Sequence, residues 1–332
     1  MKFTAIASSN IAFTKYWGKK DEVLRLPENG SISMCLSNLL TTTTVDFDSK
    51  YKKDDVTIYD SSLRHSEQSE ESRVIKHLDR IRKLTKGPER SRKAKVISKN
   101  NFPASTGLSS SASGFAALTV AAAKAAGLNL SEKQLSIIAR QGSGSACRSI
   151  PSGFVEWLDG DTSETSYAKT IFDPNYWKIA DVVVIVSDQK KEVSTTEGQE
   201  SASSSPFLKE RLKRMKQKNL LVKKLIKSKN FQKFGELIEA EALELHSIFL
   251  TQSPSLVYLH PESLRLIKLV GNWRKEGLPV YFTVNTGQDV HLIVEQKNIK
   301  KLQNKLKNLK FVKKIIVNYP SEGAKLSSKH LF

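Results

Sequence analysis

Apolar and polar residues alternate in two rhythms along this chain, and the changes of rhythm mark its elements. Residues 3–13, 40–48 and 55–59 carry β-branched and apolar residues suited to strands, including four consecutive threonines from Thr41. A helical period over about 69–86 gives way to a strand at 94–99 and then to an Ala-rich helical run reaching Ala126. Gly127 suits the left-handed cap that ends such a helix. Ser131 and Gln134 have the spacing of a capping box ahead of a helix at 132–141. Phe154 to Leu158 predicts another strand.

The second half opens on an unbroken apolar run, Ala180 to Val186, the pattern of a buried strand. Helices are predicted over 208–228, 231–250 and 262–276, the second with Phe234, Leu237, Ile238, Ala242 and Leu245 along one face. Strands at 279–284 and 290–295, a helix at 297–309 and a strand at 311–317 close the chain. The polar stretch 194–205 has two readings, a flexible linker or an ordered loop over an active site. This order predicts an α+β fold without internal repeats. A length of 332 residues suits two domains, with the division expected between 178 and 179.

Composition narrows the class. Hydrophobic residues make up 39% and charged residues 26%, as in globular proteins. No run is apolar for the roughly 18 residues of a membrane span, and the apolar N-terminal stretch is too short for a secretory signal. Cys35 and Cys147 cannot make a disulfide framework, and the six histidines are scattered, so no metal cluster is expected. These features predict a soluble, cytoplasmic protein. The net charge of +19 raises nucleic-acid binding as a possibility. Much of it lies in 208–229 and 299–314, where lysines interleave with aliphatic residues at helical spacing. That is the pattern of amphipathic helices with solvated basic faces, without the interleaved aromatics of a single-strand binder. No nucleic-acid partner is expected.

Three segments carry candidate chemistry. In Pro103-Ala-Ser-Thr-Gly107-Leu-Ser-Ser-Ser-Ala-Ser-Gly114 a strand stops at proline, Gly107 permits a tight turn, and a helix begins. Free N–H groups and the positive helix end then face one point, which suits a phosphate, and Ser109, Ser110 and Ser111 add hydroxyls that can bind phosphate oxygens or magnesium. No lysine follows the glycine, so phosphate charge must be met by side chains from elsewhere. Asn10 to Lys19 offers Lys15, Tyr16 and Lys19. Gly142-Ser143-Gly144-Ser145-Ala146-Cys147-Arg148-Ser149 offers exposed amides, hydroxyls and a guanidinium fork. Taken singly, each also reads as an ordinary connection or a lysine-bearing surface strand.

Together they resemble the diphosphomevalonate decarboxylases of the GHMP kinase superfamily. The resemblance runs through Asn10-Ile-Ala, Lys15-Tyr-Trp-Gly-Lys19, Asn101-Phe-Pro, Gly107-Leu-Ser-Ser-Ser-Ala-Ser and Gly142 to Ser149. It continues through Gly153-Phe-Val-Glu-Trp157, Val193-Ser-Thr-Thr-Glu-Gly198, Ser205-Pro-Phe207 and Glu244-Leu-His246. It implies a two-domain GHMP fold with ATP and magnesium in a cleft between an N-terminal ATP- and substrate-binding domain, 1–178, and a C-terminal domain, 179–332. The implied reaction phosphorylates the 3-hydroxyl of mevalonate 5-diphosphate, then loses phosphate and carbon dioxide to give isopentenyl diphosphate. Carried across, Tyr16, Lys19, Ser143, Ser145 and Arg148 hold the substrate's phosphates, with Asn10 near its carboxylate. Gly107, Ser109, Ser110 and Ser111 lie along ATP, Lys15 sits at the reacting groups, and Thr196 occupies a position that is Thr or Arg in the family. The resemblance also implies a homodimer.

One departure bears on the chemistry. Where the family pattern has Phe-Thr-x-Asp-Ala-Gly-Pro-Asn, this chain reads Phe282-Thr-Val-Asn285-Thr-Gly287-Gln288-Asp289. An amide cannot take a proton from a hydroxyl, and base catalysis is typically worth about 10²–10⁴ in rate. Asp289 can supply the carboxylate; the protein can act on a related substrate such as the monophosphate, or stop at 3-phosphorylation; or it is a weak or repurposed member. A purely structural reading gives Asn285 a positive φ in a hairpin turn.

Overall fold

The structure, a computed structural model, describes residues 1–59, 68–103, 106–187, 189 and 193–332. Ala104 and Ser105 of the glycine–serine loop lie outside the described residues. The N-terminal half runs β1 (Lys2–Ala12), β2 (Lys19–Asp21), β3 (Leu26–Pro27), β4 (Ser31–Asp48), β5 (Asp55–Tyr59), α1 (Gln68–Leu84), β6 (Lys93–Asn100), α2 (Ser110–Ala125), α3 (Glu132–Gly142), β7 (Phe154–Trp157) and β8 (Ala168–Phe172). The C-terminal half runs β9 (Ile179–Ile185), α4 (Thr195–Glu200), α5 (Leu208–Ser228), α6 (Phe231–Thr251), α7 (Pro261–Lys275), β10 (Val280–Val284), β11 (Val290–Glu295), α8 (Ile299–Lys307), β12 (Lys314–Asn318) and β13 (Lys325–Ser327).

Two sheets organise the chain into an α+β fold. The first has the order β13-β1-β4-β6-β5, with β7 and β8 added on the far half of β4. The second has the order β10-β11-β9-β12, all antiparallel. β4 is long enough to serve two neighbours on one side, pairing β6 through Thr41–Asp48 and β7 through Ser31–Met34. The change from the first sheet to the second falls between β8 and β9, except that the last strand, β13, returns to pair with β1.

Burial explains the layers. The Ala-rich α2 buries small side chains against β1 and β4, where larger residues would hold the helix off the sheet. The residues of β9 alternate between two cores. Ile179, Val183 and Ile185 join Phe13, Trp177 and Phe234, whereas Ala180, Val182 and Val184 join Leu266, Trp273 and Leu302. The first of these cores takes side chains from both sheets and so fixes one half against the other. The Ser131 capping box forms as its spacing predicts. The stretch 194–205 is ordered, with Ser194 capping α4 and a 3₁₀ turn at Ala202–Ser204. No helix among the described residues is long and apolar enough to cross a membrane.

Candidate active site

An open cleft with about 1080 Å³ of atom-free space lies where the two halves meet. Its walls come from the segment after β1, the start of α2, the turn after α3, the start of α4, and the β10–β11 turn. Lys15, Tyr16, Gly107, Ser109, Ser110, Ser111, Ser143, Ser145, Arg148, Thr196 and Asn285, all singled out from the sequence, line it.

The glycine–serine turn owes its shape to a close backbone contact. Gly107 has φ +105°, and a Cβ there would stand 2.9 Å from Cα of Gly287. A Cβ on Gly287 would meet the Thr106 carbonyl oxygen at 2.3 Å. Two glycines therefore let the phosphate-type turn and the β10–β11 turn touch backbone to backbone. Ser109 takes a left-handed conformation, φ 57°, as the residue before α2, and the Ser9 hydroxyl donates to the Leu108 carbonyl at 2.6 Å.

A cationic part of the lining adjoins the turn, where the Ser143 hydroxyl donates to Ser111 Oγ at 3.3 Å. Arg148 is buried in a 3₁₀ turn, donating from Nε to Asn10 Oδ1 at 3.2 Å and from one terminal nitrogen to Ser31 Oγ at 2.7 Å. Asn10 donates in turn to Ser149 Oγ at 2.8 Å and to the Ser145 carbonyl at 3.3 Å. Its place is therefore behind Arg148, not on the cleft wall. Burial lowers the guanidinium's pKa, with partial compensation from neighbouring groups, though arginine stays charged. The Tyr16 hydroxyl donates to Gln199 Oε1 of α4 at 2.8 Å, and its ring meets Trp157 edge-on at 4.6 Å. Burial drives that phenol further from ionisation.

Lys15 lines the same cleft. Its Nζ donates to the Ala12 carbonyl at 2.6 Å and to Asn285 Oδ1 at 3.0 Å, and its backbone N–H donates to Glu241 Oε1 at 2.9 Å. Burial pushes its pKa down to about 7; Glu241 opposes that shift and Arg148 adds to it. Glu241 is gripped by Arg211 and Lys218, whose charges outweigh the burial that would raise its pKa and hold it low. Asn285 donates to the Gly107 carbonyl at 3.4 Å and to Ser109 Oγ at 3.3 Å. Its backbone carbonyl accepts from His246 Nε2 at 3.1 Å, which fixes the tautomer because a carbonyl only accepts.

Three expectations from the sequence are placed differently. Lys19 is buried but pairs with Glu22 and does not line the cleft. Asp289 is also absent from the lining, and its Oδ1 accepts from the Val186 amide at 3.3 Å. Asn285 is not among the residues with positive φ, so a hairpin-turn requirement does not account for it. The cleft also holds residues the motifs did not single out, Arg25, Arg73 and Gln199.

Fold and site define an α+β protein with a polar, cationic cleft of the kind suited to small phosphorylated molecules. Residues 7–168 match the family model described as the diphosphomevalonate decarboxylase-like N-terminal domain, and residues 181–329 match the mevalonate 5-diphosphate decarboxylase C-terminal domain. The chain is 34% identical to diphosphomevalonate decarboxylase of Candida albicans, over 88% of this chain and 84% of that one. It is 33% identical to the Saccharomyces cerevisiae enzyme of the same name, over 98% and 84%. Among solved structures, mevalonate diphosphate decarboxylase from Enterococcus faecalis superposes with a TM-score of 0.89 at 36% identity, covering 98% of this chain and 99% of that one. A structure described as MDDEF in complex with MVAPP, AMPPCP and magnesium gives 0.90 at 36% identity, over 98% and 99%. The chain belongs to the diphosphomevalonate decarboxylase family of the GHMP kinase superfamily.

Proposed function

We propose that this chain catalyses the ATP-dependent decarboxylation of mevalonate 5-diphosphate to isopentenyl diphosphate, through phosphorylation of the 3-hydroxyl. The observation that carries this reading is one cleft that joins the Gly107–Ser111 turn to a buried arginine and lysine. Two polyanions brought together need fixed positive charge and hydrogen-bond donors, and this cleft has both.

Residues 1–178 would bind ATP and substrate, and 179–332 would close the cleft. The amides and hydroxyls of Gly107, Ser110 and Ser111 would hold the ATP phosphates, whose charge magnesium would partly neutralise when bound. Arg148, Ser143, Ser145 and Tyr16 hold the diphosphate, with Asn10 orienting Arg148. Lys15 and Asn285 meet at the reacting groups, and Thr196 faces them from α4. Lys19 closes the Glu22 turn at the edge of the site. The family resemblance supports a cytoplasmic homodimer.

The test uses purified protein, ATP–magnesium and either mevalonate 5-diphosphate or the 5-phosphate, with ADP and carbon dioxide followed separately. ADP and carbon dioxide in equal amounts from the diphosphate are expected. ADP alone would mark a 3-kinase, preference for the monophosphate would reassign the substrate, and neither product would overturn the reading.

A further inference from the structure

We propose that Lys15 takes the proton from the hydroxyl being phosphorylated, and that the Asn285 amide holds the lysine in the geometry that permits it. This rests on the function proposed above. The first argument is elimination by position. Asn285 is an amide and cannot accept the proton. Glu241 accepts from Arg211, Lys218 and the Lys15 backbone. Asp181 pairs with His291 at 2.8 Å, and Asp289 accepts from Val186, both away from the cleft lining. Among the described lining residues the only acidic one is Glu70 on α1. Its charge acts on Arg73.

The second argument is the tetrahedral geometry of the amine. Nζ has two protein acceptors, the Ala12 carbonyl and Asn285 Oδ1. A neutral amine has two N–H bonds and one lone pair. The two acceptors take the two N–H bonds, and the remaining vertex is the lone pair of a side chain that lines the cleft. A carboxylate at 285 would stabilise the ammonium form and fill that vertex with a third N–H. The charged and titratable groups facing Lys15 are Glu241 and His246 from α6, Arg211 from α5, Arg148 from the 3₁₀ turn, and Asp181 from β9. Burial outweighs the two carboxylates, while both arginines favour the neutral amine.

In the step itself the lone pair takes the O–H proton as the hydroxyl oxygen bonds to the γ-phosphorus. The bond from that phosphorus to the bridging oxygen breaks, and ADP carries away its electron pair. Lys15 is left as an ammonium beside the new phosphate ester, where its charge favours phosphate departure.

Single-turnover ADP formation should be measured from about pH 5.5 to 9 for the wild type, Lys15→Arg and Asn285→Asp, at saturating substrates. In parallel, ¹³C NMR of lysine labelled at Cε follows Lys15 in the full chain without turnover. The expected wild-type rate rises with pH alongside the Lys15 titration. Lys15→Arg, which cannot deprotonate, should lose about 10²–10⁴-fold in rate while still binding substrate. Asn285→Asp should move the acid limb to lower pH and the Lys15 titration to higher pH. Lys15→Met replaces the arginine variant if circular dichroism shows that arginine disturbs folding. An active wild type whose rate and acid limb survive Lys15→Arg would overturn the lysine's role alone. A wild type that makes no ADP would overturn the proposed function as well.

Discussion

At the residue scale the site works by support from behind. Arg148 donates to Asn10 and Ser31, so two of its hydrogen bonds fix the plane of the guanidinium before any ligand arrives. A lysine at this position would keep the charge and lose the planar fork. Arg148→Lys should therefore raise KM for mevalonate 5-diphosphate about 10- to 100-fold, the range of one or two charge-assisted hydrogen bonds, with a smaller effect on KM for ATP. Equal losses for both substrates in steady-state kinetics would show that Arg148 supports the cleft as a whole. The sequence made Arg148, Tyr16 and Lys15 legible because each sits in a motif whose residue types suit phosphate. It could not show that Lys19 pairs with Glu22, because both residues look equally available for the cleft until the β2–β3 hairpin is placed. Nor could it show that His246 reaches the Asn285 carbonyl, because a histidine on an apolar helical face looks like packing, and this one does also pack on Phe249.

At the element scale the decisive feature is the contact between two turns that are far apart in sequence. Gly107 and Gly287 touch, so the β10–β11 turn sets where the start of α2 lies. Gly107→Ala places a methyl in a positive-φ conformation and against backbone that has no side chain to swing away. A cost of about 1–3 kcal/mol is expected, from backbone strain and displacement together. The turn should also separate, so kcat should fall more than thermal stability alone would explain. A Gly107→Ala protein with unchanged kcat and melting temperature would show that the contact is incidental. Gly107 was recognisable as a turn residue, but its partner was not, because no local pattern links 107 to 287. The same reason hid the first part of β4. Ser31 to Met34 does alternate serine with Ile32 and Met34, but the run is only four residues long and gives way to Cys35 and Leu36, and all six are buried, so neither face reads as solvent-facing. The strands of β9, β10 and β11 were legible, since their apolar runs are flanked by polar turns. Stretch 194–205 kept two readings in the sequence. The structure orders it through Gln252, which donates to the Gly198 carbonyl and the Ser201 hydroxyl, both at 2.8 Å.

At the scale of the whole molecule the two halves share a core and a strand, so they should respond to acid together. β13 carries the end of the chain back to β1, and the Thr4 hydroxyl meets His330 Nδ1 at 2.7 Å. Each half also buries a histidine that is neutral in the fold. Between α1 and α2, burial pushes His77 down to about 3, with Arg80, Arg73 and Arg25 adding to the shift. On α6, burial pushes His246 down to about 4, against the hydrogen bond to Asn285. Both titrate near 6.5 when exposed, so between that value and the folded value the unfolded chain binds more protons. Stability is therefore fully present above about pH 6.5 and is lost as pH falls toward 4, at about 2 kcal/mol per histidine by pH 5. His77→Gln removes one of these titrations and can still reach Thr119, which His77 Nε2 meets at 2.8 Å. The urea midpoint of the wild type should fall in one transition between about pH 7 and 5, and that of His77→Gln should fall by a smaller amount with the same m-value. Parallel midpoint curves for the two proteins would show that His77 is protonated in the fold. Two separated transitions would show that the shared core and β13 do not couple the halves. Coupling matters for the chemistry, because the cleft exists only while the Gly107 turn and the Asn285 turn belong to one folded unit.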